Sequence, residues 1–100
     1  MKLKFLDQAE EEFVDSFRYY QEIALGLGEK YKSEVLVGLA WIQKNPEVLP
    51  LRKGFYRRLN LKIFPYGICY YVSENVIWII AIQHFARKPY NWLSRRGKLK

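Results

Sequence analysis

The sequence predicts a single α+β domain in which a helical hairpin covers one face of a mostly antiparallel sheet. Three features predict it. Apolar residues recur at helical spacing from Asp7 to Lys44, apolar–polar alternation takes over after Phe55, and Pro46, Pro50 and Gly54 cluster where the regime changes. A chain of 100 residues holds one core, so the order β-α-α-β-β-β spans a single domain over 1–100.

Lys2 to Leu6 reads as a short strand, with Leu3 and Phe5 alternating against Lys2 and Lys4. Asp7 is placed to cap the first helix. Glu10 stands three residues on in a reciprocal capping box, and the carboxylates at 10, 11, 12 and 15 suit the positive end of the helix dipole. Ala9, Phe13, Phe17, Tyr20 and Ala24 form its apolar stripe, and Gly26 and Gly28 end it. A second helix runs from about Glu29 to Lys44 with Tyr31, Val35, Leu39 and Ile42 inward, and Asn45-Pro46 stops it.

After the loop 45–54, Phe55 to Ile63 alternates. Leu59, Leu61 and Ile63 point one way and Arg58, Asn60 and Lys62 the other. Phe64 to Gly67 is a turn, Tyr66 to Val72 a strand, and Ser73-Glu74-Asn75 a tight hairpin loop. Val76 to Ile82 is apolar on both faces, as a central strand would be. The tail from His84 to Lys100 is basic and aromatic.

Charge is segregated. Residues 1–34 carry a net −3 and residues 35–100 a net +10, which predicts a polyanionic or acidic partner for the second half. With the helices on one side of the sheet, Arg58, Asn60 and Lys62 are expected on an uncovered, basic working face. The only cysteine, Cys69, and the only histidine, His84, fall short of a metal ligand set, and no cofactor is expected. Cys69 reads as a small buried hydrophobe. The longest apolar run has seven residues, Val76 to Ile82, against the ~20 a membrane span needs, so a cytoplasmic protein without membrane contact is expected.

His84 reads equally as a proton shuttle at the sheet rim or as a hydrogen-bonded structural residue. Arg58 and Lys62 read as phosphate contacts or as a solvated strand face. Trp92 and Tyr90 suit either base stacking or a tail pinned to the core, with Arg87 between the two readings.

Several of these residues resemble the RelE/ParE toxin family. They are Tyr19-Tyr20, Leu25-Gly26-Leu27-Gly28, Ile42-x-x-Asn45-Pro46, Tyr56-Arg57-Arg58, the run Phe64 to Tyr71, and the run Ile80 to Trp92. Proteins with this pattern are known as plasmid stabilisation or RelE/ParE-like toxins. The resemblance implies a toxin silenced by a cognate antitoxin whose extended or helical segment wraps it. Two activities occur in the family: RelE-like members cut messenger RNA on the ribosome without a metal, and ParE-like members poison DNA gyrase. For the first, the resemblance implies Arg58, His84, Arg87 and Tyr90 as catalytic residues, with Arg57, Asn60 and Lys62 contacting substrate. The expected activity is the first, a ribosome-dependent endoribonuclease using the basic sheet face. The alternative is the gyrase-binding toxin, which the departures favour, since Asn60 stands where a lysine is expected and Gly67 and Phe85 where arginines are expected.

Overall fold

The computed structural model describes residues 1–86 together with Leu93 and Arg95. Strand β1 (Lys2–Phe5) leads into helix α1 (Asp7–Ile23), then α2 (Leu27–Lys44), and strands β2 (Arg57–Asn60), β3 (Tyr66–Ser73) and β4 (Val76–His84) complete the order. The sheet order is β1-β4-β3-β2, with β1 parallel to β4 and the other pairs antiparallel. Both helices lie on one face, as the sequence predicts. The apolar β4 is internal because it must pair on both sides.

Local departures from expectation have physical causes. The N-cap of α1 is Leu6, not Asp7, and no side chain caps it. Asp7 is already helical, because the Leu6 amide is committed to the Ile79 carbonyl and so continues the sheet by one residue. The helix ends at Ile23, leaving Ala24 outside it as an extended C-cap. Gly26 (φ +81°) then caps α2 in the left-handed region that glycine adopts without strain. Gly28 lies against α1: its amide donates to Gln21 Oε1 at 2.9 Å, and a Cβ there would fall 2.3 Å from Gln21 Cγ. This close approach keeps the hairpin link short.

The core lies between the helices and the sheet. Tyr20, Tyr31, Phe64 and Tyr66 pack ring against ring with centroids 4.8 to 6.1 Å apart. The buried Tyr31 hydroxyl meets Ser16 Oγ at 2.6 Å, which satisfies the polar end of a fully buried ring. Burial pushes the Tyr20 hydroxyl up to about 12, with the neighbouring Tyr66 adding to the shift. The Tyr70 hydroxyl is buried without a hydrogen-bond partner.

Strand β2 stops at Asn60, three residues short of the expected end. The reason is Glu34 on α2. Its carboxylate accepts the amides of Lys62, Ile63 and Phe64 at 3.1 to 3.3 Å, which draws the chain off the sheet and onto the helix. The β3–β4 loop is tight as predicted, with Glu74 and Asn75 both at positive φ between the paired Ser73 and Val76.

Strand β4 departs from a regular central strand in two respects. Cys69 pairs with Ala81 and Tyr70 with Ile79, so Ile80 is an extra residue and forms a β-bulge. β1 also pairs with β4 only from Val76 to Ile79. Beyond it, side chains take over the bare edge: Arg95 Nη1 donates to the Ile80 carbonyl (3.0 Å), and the Ile82 amide donates to Glu12 Oε1 (3.1 Å).

Candidate functional site

The strand registers sort the face opposite the helices into three rows: Lys4, Trp78 and Tyr71; Ala81, Cys69 and Arg58; Gln83, Gly67 and Asn60. This face is neither bare nor evenly basic. Cys69 and Ala81 are fully buried, Gln83 and Gly67 are buried, and Trp78, Tyr71 and Arg58 are half-buried. Burial pushes the Cys69 thiol up to about 12 despite Arg58 and Arg52 nearby, so it stays a neutral, inert thiol. Lys4 sits over the Trp78 ring, 5.6 Å from its centroid.

Arg58, together with Asn60, is an expected site residue that does lie on this face. Its side chain crosses β3 over Gly67, where an added Cβ would fall 2.8 Å from Arg58 Cδ and 3.0 Å from Cγ and Nε. Its Nε donates to Asn60 Oδ1 at 2.8 Å, and its guanidinium carbon stands 5.2 Å from the centre of the Phe85 ring. Asn60 therefore belongs to the same site as Arg58.

Lys62, Arg57 and His84 are not gathered there. Lys62 lies beyond the end of β2, in the turn that Glu34 holds against α2. Arg57 points to the opposite face, in register with Tyr70, and its Nε donates to the Leu49 carbonyl at 2.6 Å, which ties down the loop before β2. His84 pairs with Tyr66 and stands edge-on to that ring (4.9 Å), so by register it faces the helix side and not Arg58. Its Nδ1 accepts the Ala86 amide at 2.9 Å. Arg87 and Tyr90 lie outside the described residues, as does Trp92. Among the described residues no group of three or more His, Cys, Asp or Glu could hold a metal ion, and no helix is long and apolar enough to cross a membrane.

Sequence reasoning passed over one ion pair. Glu12 and Arg95 meet in a two-pronged salt bridge with both N–O distances at 2.9 Å. Nothing in either local pattern marks it, because the partners are 83 residues apart.

A second surface runs along the outer edge of β2. That strand ends the sheet, so its outer edge pairs with no other strand among the described residues. Beside it, Val37 (70% exposed), Gly38, Trp41, Leu59 and Leu61 line a mostly apolar cleft that Glu34, Asn60 and Lys62 also border, and Ile63 (81% exposed) stands next to it. The cleft continues around Ile63 towards Leu27, Phe64 and Pro65. Large exposed apolar side chains gathered beside an open strand edge form a surface suited to another chain.

No family model matches the sequence. No curated protein matches it either. In fold, the chain is similar to a chain of the chromosomal ParDE TA system from P. aeruginosa, with a TM-score of 0.70 over 84% of this chain and 95% of that one, at 20% identity. The likeness shows a shared fold: two helices on a four-stranded, mostly antiparallel sheet.

Proposed function

We propose that this chain is a toxin of the RelE/ParE type, restrained in the cytoplasm by a cognate antitoxin, and that it acts by gripping a protein target such as DNA gyrase. The shared fold with a chain of a ParDE toxin–antitoxin system supports the toxin assignment. The exposed apolar cleft beside β2 supports the antitoxin, whose extended or helical segment would bury Val37 and Ile63.

The observation that carries the mode of action is the separation of Arg58 from His84 on opposite faces of the sheet. Cleavage at a 2′-hydroxyl needs a cation on the phosphorane and a proton carrier at the same phosphate. Among the described residues Arg58 stands with Asn60, Gly67 and Phe85, none of which carries charge or moves protons near neutral pH. An arginine beside the Phe85 ring, on a face that also carries Tyr71 and Trp78, is the composition of a protein-binding hot spot.

The test is expression without antitoxin, followed by a supercoiling assay with purified gyrase and the purified chain. Growth arrest with gyrase inhibition and uncut messenger RNA is expected. Arrest with transcripts cut on the ribosome would replace this reading with the endoribonuclease one. That second reading is favoured by the guanidinium of Arg58, which would hold the scissile phosphate with Lys62 and Arg87 while His84 or Tyr90 moved protons. A His84→Ala, Tyr90→Phe double variant that still cut fully would remove it.

A further inference from the structure

Three uncharged residues surround Arg58 in ways that leave its side chain one course to take. Gly67 supplies the floor: the aliphatic stem lies where any Cβ at that position would stand. Asn60 holds Nε by a 2.8 Å hydrogen bond, and Phe85 sits against the guanidinium at 5.2 Å. With Nε engaged, the edge bearing Nη1 and Nη2 remains. Among the described residues that edge has no carboxylate partner, the one described salt bridge being that of Arg95 with Glu12. An arginine whose rotamer is already set loses little further freedom when it binds.

We infer that Asn60, Gly67 and Phe85 are positioning residues that hold Arg58 as a ready-made fork for a single two-oxygen anion edge at the sheet face. The inference rests on the reading of that face as the contact surface, and it names the contact. The positions where cations are missing become the reason the remaining cation is well aimed. An arginine at position 67 would displace the stem of Arg58. Carboxylate and phosphate both present the required edge, and a two-donor fork binds either by paired, charge-assisted hydrogen bonds.

The test uses the full chain labelled with 15N in its arginines, titrated at constant ionic strength with acetate and, separately, with inorganic phosphate. The Nε–H signal of Arg58 should shift saturably, with half-saturation at least about threefold below that of the exposed Arg18. Gly67→Ala and Asn60→Ala should each bring Arg58 to the behaviour of Arg18. Phe85→Tyr, which keeps the ring, should titrate as the parent does, and Phe85→Leu should not. Tighter response to acetate assigns a carboxylate ligand, and tighter response to phosphate a phosphate ligand. The cradle is overturned if Arg58 responds as Arg18 does, or if folded Gly67→Ala titrates like the parent. Anion binding at Arg58 in a chain that is harmless when expressed would sink the toxin reading and leave the cradle standing. Growth arrest with an unresponsive Arg58 would do the reverse.

Discussion

Replacing Glu12 by alanine should cost this fold about 2–3 kcal/mol, far more than its place in a run of surface carboxylates suggests. Its carboxylate accepts three hydrogen bonds, one from the Ile82 amide at 3.1 Å and two from Arg95 at 2.9 Å. The side chains of Arg95 and Glu12 are 14% and 23% exposed. That is too buried for the ~0–1 kcal/mol of a surface pair, and too wet for the ~3–5 kcal/mol lost when a fully buried pair is broken. The unmet backbone amide contributes about 1 kcal/mol and the charge-assisted pair about 1–2 more. For a domain of this size the melting temperature should fall by roughly 10–20 °C. Urea denaturation with the m-value compared between variants is the assay. Arg95→Ala and the double variant complete a cycle whose coupling should be about 1–2 kcal/mol. A Glu12→Ala loss under about 0.5 kcal/mol, or strict additivity in the cycle, would refute the reasoning.

Three further outcomes are expected. Tyr70→Phe should stabilise the chain by about 1 kcal/mol, because the hydroxyl it removes is buried without a partner; a loss in urea denaturation would contradict this. Gly38→Ala should destabilise by about 1 kcal/mol. The ~1 kcal/mol of helix propensity gained is outweighed by a Cβ lodged 3.1 Å from both Ile68 Cδ1 and Leu59 Cδ2, so a rise in melting temperature would show that these side chains yield freely. Alkali should unfold the protein cooperatively. Cys69 is raised by burial from 9.0 to about 12 and Tyr20 from 10.0 to about 12, while burial also raises Tyr31 and Tyr70. The unfolded chain releases these protons first, so stability is intact below about pH 9 and is lost as pH climbs to about 12. Tyrosinate absorbance and circular dichroism should change together; tyrosinate appearing well before unfolding would show the rings to be solvated.

The helical hairpin and the central place of β4 were legible because periodicity reports burial directly. Tyr31, Val35 and Ile42 are buried as their spacing predicts, and β4 is internal as its two apolar faces require. The site was harder to read because it depends on parity. Trp78 lies on the face away from the helices, and strict alternation would carry His84 there as well. The bulge at Ile80 inverts the count and turns Ile82 and His84 to the helix side. In a run apolar on both faces, no residue pattern marks such a bulge. Lys62 was misplaced for a different reason: the alternation of Leu59, Leu61 and Ile63 continues past the point where Glu34 pulls the backbone away. Ile63 is consequently the apolar residue that ends up in solvent.

The parallel pairing of β1 with β4 also sets the order in which the molecule is completed during synthesis. The first strand emerges at residues 2–5, but its neighbour in the sheet lies at 76–79, so it waits unpaired while most of the polypeptide is made. Contacts so distant along the sequence slow folding, because the intervening loop must close before it is rewarded. A nascent chain halted before Val76 has α1, α2 and the β2–β3 pair but no seat for β1. The product of an interrupted message would therefore remain an incomplete fold.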